Sequence, residues 1–425
     1  RWALRVNPSS GNLHPTEGYL VNGDGVFHYA PDAHELEKRA DIAPDEWEDF
    51  AKSLPAGAFL VGLTSIHWRE AWKYGERAFR YCQHDVGHAV GALGLAAARL
   101  GWRVRLLEGP GTGVIDRLLG VEAQTGPEKE HGDCLLVVWP GGEAETTRIS
   151  TLPVPMKWTG SPNRLSEKHH DWPIIAEVAE AATWTGAPEE KSNITARVPE
   201  PTDRGLPAGD LIRNRRSAVA MDGQTTMARE DFFRLLGRLL PTAVHPVFNM
   251  APALTHVTLV IFVHRVDDLP PGLYVLVRHP DHEASLRAAT RDDFSWTTPE
   301  GCPDALPLFT LGHGDLRAAA RQLSCTQDIA AMGAFSLGML ARFDHALEAC
   351  GPGMYPRLFW ETGLIGQMLY LEAEAAGLRG TGIGCFFDDE VHGALGLEGT
   401  TWQSLYHFTV GGAVDDDRLQ TGPAY

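Results

Sequence analysis

Basic residues are scarce in this chain. Over 425 residues, 37 lysines and arginines stand against 55 aspartates and glutamates, a formal charge of −18 at pH 7. Nucleic acid and anionic membrane surfaces repel such a protein, so neither is its main partner, although a local basic pocket is compatible with that charge. Long hydrophobic runs are missing too. The longest, "HVTLVIFV" (His256–Val263) and "CLLVVW" (Cys134–Trp139), have the length of buried strands and fall far short of the roughly 20 residues of a membrane helix. Six scattered cysteines, at 82, 134, 302, 325, 350 and 385 with no CxxC, read as reduced thiols of a cytoplasmic protein rather than a disulfide framework. The chain starts at Arg1 without a Met, so an upstream segment is expected.

A hydrophobic fraction of 44% is enough for sizeable cores, and the length fits two domains of about 200 residues each. The stretch 151–210 is rich in Pro, Gly, Ser and Thr, with a helix expected near Ile174–Trp184, and reads as a linker. It separates a first domain at 1–150 from a second at 211–425. "WTTPEGCPDALP" (Trp296–Pro307) reads as a lid or a wrapping arm.

The halves echo each other. Asp85-Val86-Gly87 is expected to open one apolar helix, and Glu361-Thr362-Gly363 another. Gly87, Gly101 and Gly120 are spaced by 14 and 19, as are Gly363, Gly377 and Gly396. Two stretches, Glu17–Tyr29 and His256–Val277, look like hairpins. The pattern predicts an α+β fold used twice: a central helix and a short helix packed on a mainly antiparallel sheet. Two tandem domains of this kind pack most simply about a pseudo-twofold axis, as an intramolecular pseudo-dimer.

Several stretches carry chemistry, each with a bland alternative. "NPSSGNLHPTEGYLV" (Asn7–Val21) has turn composition and suits either a surface turn or a loop against a polar ligand, with Glu17 opening a strand. "RNRRSAVAMDG" (Arg213–Gly223) is able to clamp a phosphate by bidentate hydrogen bonds, or is a solvated basic patch. "GTGIGCFFDD" (Gly380–Asp389) would let backbone N–H groups approach a flat ligand, and "GPGTG" (Gly109–Gly113) is a weaker decoy of the same kind. In "WREAWKYGERAFRYCQHDVGH" (Trp68–His88), Arg69, Lys73, Arg77 and Arg80 at helical spacing form a cationic stripe. The aromatics between them argue against a wholly exposed face. A Lys-Tyr pair in a partly dry pocket can accept a proton. Cys82, His84, Asp85 and His88 suggest a metal, but core or capping histidines are the preferred reading and no metal is expected. For Cys385, small-residue packing is preferred to a nucleophile.

Taken together, "RWALRVNPSSGNLHPTEGYLV", "WKYGERAFRYCQHDVGHA", "RNRRSA", "TGIGCFFDD" and the tail "YHFTVGGAVDDDRLQTGPAY" resemble the nitroreductase superfamily of flavin enzymes. Within it they look like the SagB-type dehydrogenases, which include oxidases that convert peptide azolines to azoles. The resemblance implies an FMN held between two such folds. Arg215, Arg216 and Ser217, helped by Arg418, would bind its phosphate, and Pro8, Ser9, Ser10 and Asn12 would lie against its rings. The stretch Gly382, Ile383, Gly384 and Cys385 would place a backbone N–H near flavin N5. Lys73 and Tyr74 would be the catalytic pair, taking a proton from the substrate while hydride passes to N5 on the face bordered by Asn12 and His14.

Those parts divide between the halves, so one composite site is completed across the pseudo-dimer. The reciprocal site would need a counterpart of the Pro-Ser-Ser-x-Asn loop, where only "HPVFNMAPALTH" (His245–His256) stands, and a Lys-Tyr counterpart near "MYPRLFW" (Met354–Trp360). One FMN per chain is therefore expected, with a small-molecule or peptide substrate and room for further homo-oligomerisation. Two alternatives stand beside the dehydrogenase reading. One is an NAD(P)H-dependent nitro- or ene-type reductase on the same flavin. The other is a non-catalytic partner of a modification complex.

Overall fold

The computed structural model describes residues 5–141, 152–186, 205–242, 245–415 and 418. Its first half runs β1 (Thr16–Asn22), β2 (Gly25–Ala30), β3 (Glu35–Ala40), α1 (Pro44–Ala51), β4 (Phe59–Ser65), α2 (His67–Tyr74), α3 (Ala78–Arg99), β5 (Trp102–Leu106), α4 (Thr112–Leu119) and β6 (His131–Pro140). Two helices, α5 (Pro173–Ala181) and α6 (Ala208–Asn214), lie between the halves. The second half runs α7 (Arg229–Gly237), β7 (Val257–Val263), β8 (Gly272–Leu276), α8 (His282–Ala289), β9 (Leu308–His313), α9 (Arg317–Leu323), α10 (Ile329–Met332), β10 (Phe335–Arg342), α11 (Phe343–Cys350), α12 (Met354–Ala375), β11 (Arg379–Ile383), α13 (Asp388–Leu395) and β12 (Trp402–Gly411).

Each half builds one six-stranded sheet, ordered β3-β2-β1-β4-β6-β5 and β11-β12-β10-β7-β8-β9, with every strand pair antiparallel. Read in opposite directions, the two orders superpose strand for strand: β5 on β11, β6 on β12, β4 on β10, β1 on β7, β2 on β8 and β3 on β9. The fold is therefore α+β and tandem, and both expected hairpins form. Strand β1 alternates buried and half-buried positions, as a strand with one covered face does, whereas β7 is buried along its whole length. Among the described residues, no helix is long and apolar enough to cross a membrane.

The glycine repeat acquires its physical cause here. Helices α3 and α12 are each 22 residues long and cross at Gly87 and Gly363. A Cβ on Gly87 would overlap the Trp360 carbonyl, and one on Gly363 would overlap the His84 carbonyl. Gly101 and Gly377, both at φ +73°, end these helices in the left-handed conformation, and Gly120 and Gly396, at φ 72° and 78°, end α4 and α13 in the same way. The acid-x-Gly pairs are mid-helix residues, since α3 begins at Ala78 and α12 at Met354. They mark the crossing rather than the helix starts expected of them. The apolar core between the sheets draws on both halves, with Val86 and Val90 from one and Leu358, Leu364 and Ile365 from the other.

Three further stretches take definite places. The stretch Gly380–Ile383 is strand β11, paired to β12, and its glycines lie against the rings of Phe408 and Tyr406. The 296–307 stretch folds back on edge strand β9 through a Thr297–Thr310 bridge and is a wrapping arm. Finally, Cys325 and Cys385 form a disulfide, with their Cα atoms 5.8 Å apart. The reading of six reduced thiols therefore fails for these two, while Cys82, Cys134, Cys302 and Cys350 are not disulfide-bonded. The bond joins the end of the glycine strand to the turn after α9, so Cys385 is a tether and not merely a small packing residue.

Candidate functional site

The loop ahead of β1 is built from short polar residues that tolerate unusual backbone. Gly11, Asn12 and His14 all have positive φ, at 60°, 59° and 49°. Glycine and asparagine accept this region cheaply, and such clustering marks strained segments that surrounding structure must hold. The holding contacts are visible. The Ser9 hydroxyl accepts the His14 N–H at 2.9 Å, and His14 donates from Nε2 to the Asn12 side-chain oxygen at 2.9 Å. Burial first, then the cations Arg5, Arg215 and Arg69, hold His14 down at about 4, so its ring is neutral at neutral pH. Glu17 opens β1 as expected and is also buried, paired with Arg69 and with His28.

Against this loop stands the end of α2. The helix stops at Tyr74 because Gly75 takes φ 58°, ψ −136°, and a single 3-10 turn leads into α3. The expected cationic stripe is therefore broken. Arg69 is spent on Glu17, while Arg77 and Arg80 reach across to the second half and pair with Asp388. Lys73 and Tyr74 remain at the loop: a Cβ on Gly11 would lie 2.7 Å from the Tyr74 hydroxyl and 2.8 Å from the Lys73 ammonium nitrogen. The Tyr74 ring meets the Tyr81 ring edge-on at 4.8 Å.

The second half supplies the opposite wall. The Arg77 guanidinium donates to the Gly384 and Phe386 carbonyls, at 3.4 and 3.0 Å, and so grips the strand end that carries Cys385. A Cβ on Gly384 would press into the Tyr81 ring, and one on Gly382 would overlap the Tyr406 hydroxyl. Arg215 is buried and lies 5.1 Å over the Tyr370 ring. Ser217 bridges to Gly380 and shares a 2.9 Å hydrogen bond with the Tyr370 hydroxyl, which also takes the Gly382 N–H at 2.9 Å. Arg216 folds its guanidinium onto the Arg213 and Arg215 carbonyls. Arg418 is exposed on a tail whose other residues, 416–417 and 419–425, lie outside the described residues, and it has an interaction of its own.

Between the walls runs an aromatic and imidazole layer that pattern reading assigned to core. His84 stacks on Tyr406 at 4.1 Å and bonds the Leu405 carbonyl, and His88 meets the Tyr406 hydroxyl at 3.2 Å and Gln367 at 3.3 Å. Burial holds both imidazoles near 3, hence neutral. No group of metal-ligating side chains occurs among the described residues. The residues missed in the motif reading, Glu70, Tyr81, Tyr370 and Tyr406, have no local signature, because only the packing of α3 against α2, α12 and β12 brings them together.

The pseudo-twofold relates this place to a second one with different contents. Helices α2 and α11, eight residues each, both end at a glycine, Gly75 and Gly351, so the counterparts of Lys73 and Tyr74 are Ala349 and Cys350. These lie just before "MYPRLFW", correcting the expected position. Where Tyr81, His84 and His88 stand in α3, α12 has Arg357, Trp360 and Leu364. Met250, from the "HPVFNMAPALTH" segment, packs its sulfur on Gly94 and takes the Leu106 N–H on its carbonyl. Arg357 lies 3.8 Å over the Trp184 ring. One side carries Lys73, Tyr74 and two imidazoles, where the other has Ala349, Cys350, Trp360 and Leu364, with the buried Arg357 in the place of Tyr81.

A doubled helix-on-sheet fold, with polar groups from both halves meeting beside the central helix pair, defines the class. The nitroreductase family profile matches residues 1–132 and 303–412, and the chain belongs to that family. A provisionally named nitroreductase from Anabaena variabilis superposes with a TM-score of 0.69 at 21% identity, covering 97% of this chain and 83% of its own, and so shares the tandem fold. Half-length similarities include a chain of the Escherichia coli microcin synthetase McbBCD complex (TM-score 0.36, 16% identity, 53% of this chain and 80% of that one). Another is the NADPH:FMN oxidoreductase of Vibrio harveyi (TM-score 0.31, 15% identity, 51% and 72%). No curated protein matches the chain.

Proposed function

We propose that the chain is an FMN-dependent oxidoreductase that oxidises an organic substrate, of the azoline or peptide-derived class, at one flavin site per polypeptide. The observation that carries this reading is the meeting of two half-sites: Ser9–Asn12 with Lys73 and Tyr74 from the first half, and Arg215–Ser217 with Gly382–Cys385 from the second.

The residues fit such a cofactor. The Arg215 Nε and the His84 Nδ1 are buried without a hydrogen-bond partner among the described residues, which a polar ligand edge would relieve. Gly11, Gly382 and Gly384 let Lys73 and Tyr74, Tyr406 and Tyr81 close onto the backbone at this place. Arg215, Arg216 and Ser217, with Arg418 from the tail, would hold the phosphate, and Pro8, Ser9, Ser10 and Asn12 would border the rings. When bound, the flavin supplies the hydride acceptor. The chain's own part is to exclude water with the Tyr81, Tyr370 and Tyr406 rings, to fix the Asn12 amide through His14, and to take the substrate proton at the Lys73 nitrogen or the Tyr74 oxygen.

Changing Lys73→Met and Tyr74→Phe together is expected to abolish oxidation of a thiazoline-containing peptide by at least about a hundredfold, the size of a lost general base, with FMN still bound. Retained turnover would reject the assignment of the pair. Flavin released from purified protein should match the chain one to one, and two flavins per chain would reject the single site. Rapid bleaching of the flavin by NADPH, with no peptide oxidation, would favour a reductase instead.

A further inference from the structure

Beneath the Ser9–Asn12 loop lies a buried carboxyl pair that the chemistry above does not use. Glu70 is on α2, one turn before Tyr74, and is fully buried, while Asp85 is on α3 and 2% exposed. One hydroxyl serves both. Ser9 lies 3.4 Å from the Glu70 Oε1, and Asp85 takes hydrogen bonds from the Ser9 hydroxyl and the Ser10 N–H. Ser9 already accepts the His14 N–H at 2.9 Å.

A serine hydroxyl has a single proton to give and two lone pairs to fill. With one lone pair on His14, the arrangement is satisfied when one carboxyl receives the Ser9 proton and the other donates a proton of its own to the remaining lone pair. Two ionised carboxylates would leave one of them facing that lone pair with no hydrogen between. The far oxygens, Glu70 Oε2 and Asp85 Oδ2, have no partner among the described residues and so bring no further donors. Burial raises both carboxyls, and the Asp85 charge raises Glu70 further, which agrees with the count of one proton from geometry.

We propose that Glu70 and Asp85, joined through the Ser9 hydroxyl, hold one proton between them and act as positioning residues that set the proton balance of the Lys73–Tyr74 pair. The proposal rests on the flavin reading for its purpose but not for its geometry. Transfer within the pair moves no electrons. The Glu70 O–H bond breaks as the proton passes to Ser9, and the Ser9 O–H bond breaks as its own proton passes to Asp85. The outer end is Lys73, the cation acting on Glu70. The other titratable groups facing the pair are Tyr81 and Cys82 on α3 and Tyr406 on β12, each acted on by Glu70, Asp85 or both.

The test is infrared difference spectroscopy on the whole chain at pH 7, comparing wild type with the isosteric Glu70→Gln/Asp85→Asn double variant. The expected difference is the loss of one carboxylic-acid band and one carboxylate band. Loss of two carboxylate bands, or of two acid bands, overturns the shared proton. Ser9→Ala, which keeps both carboxyls, is expected to shift the acid band, and an unmoved band overturns the link through Ser9 even if the double variant does not fold. Lys73→Gln removes a nearby cation and is expected to move deprotonation of the pair to higher pH, so an unchanged titration overturns the coupling to the base. Failure of the flavin reading would show separately, as a protein that binds no FMN yet retains these bands.

Discussion

Glu361 occupies in the second half the place of Asp85 in the first, and the two acids have opposite surroundings. Glu361 accepts the His256 and Val257 N–H groups at 2.7 and 3.2 Å and pairs with Arg278, both side chains being buried. Arg278 also donates to the Leu239 and Val257 carbonyls. Arg278→Met would leave the Glu361 carboxylate without its counter-cation and the Leu239 and Val257 carbonyls without the guanidinium donors. A loss of about 3–5 kcal/mol, read from urea unfolding at pH 7, is expected. Arg278→Lys should recover only part of it, because a single ammonium cannot reproduce the guanidinium fork. Equal stability of Arg278→Met and wild type would show that the pair contributes nothing.

At the scale of elements, the crossing of α3 and α12 allows no side chain at Gly87 or Gly363. Either substitution by alanine forces the helices apart, and a cost of about 1–3 kcal/mol in thermal unfolding is expected, the usual range for overpacking. Gly377→Ala tests a different cause, the left-handed φ of +73° with open space around it, and should cost no more than about 1 kcal/mol. The glycine spacing was legible in the sequence because each glycine obeys a local backbone or packing rule that recurs at the same place in both halves. Hairpins β1–β2 and β7–β8 were legible for the same reason: apolar alternation and turn residues act locally. What escaped was set at a distance. Helix α3 begins before its acid-x-Gly pair, directly after the 3-10 turn at Gly75, and its first turns pack against the other half through Arg77 and Arg80 on Asp388, while the glycine stretch becomes a strand because β12 offers it a ladder. The Cys325–Cys385 bond joins positions 60 residues apart, which no spacing rule connects. For the candidate site, the contributing segments were readable as motifs, but Glu70, Tyr370 and Tyr406 depend on helix packing that composition does not encode.

Across the whole molecule, eight buried histidines and the half-buried His131 are held below their ordinary value, first by loss of solvent: His14, His67, His84, His88, His131, His245, His264, His282 and His407. Each is neutral in the fold and takes a proton on unfolding below about pH 6.5. Their contribution is complete above that value and is lost as pH falls towards about 4. Among the described residues, five carboxyls raised by burial, Glu70, Asp85, Asp116, Asp133 and Glu374, and His28, raised against its own burial by Glu17 and Glu37, act in the opposite sense over the same interval. Nine outweigh six, so the unfolded chain binds more protons and stability should drop between pH 6.5 and pH 5. A guanidinium midpoint that rises over that interval would contradict the balance.

The two halves share one chain, and this changes how the site depends on conditions. In a dimer of separate subunits, a site shared across the interface dissolves when the protein is diluted below its dissociation constant. Here the Ser9 loop and Arg215 are held together at an effective concentration set by the connecting segment, so dilution does not separate them. A second consequence is genetic. In a homodimer each substitution is made on both sides of the axis, whereas here Met250 and Trp360 stand on one side and Ser9 and His84 on the other.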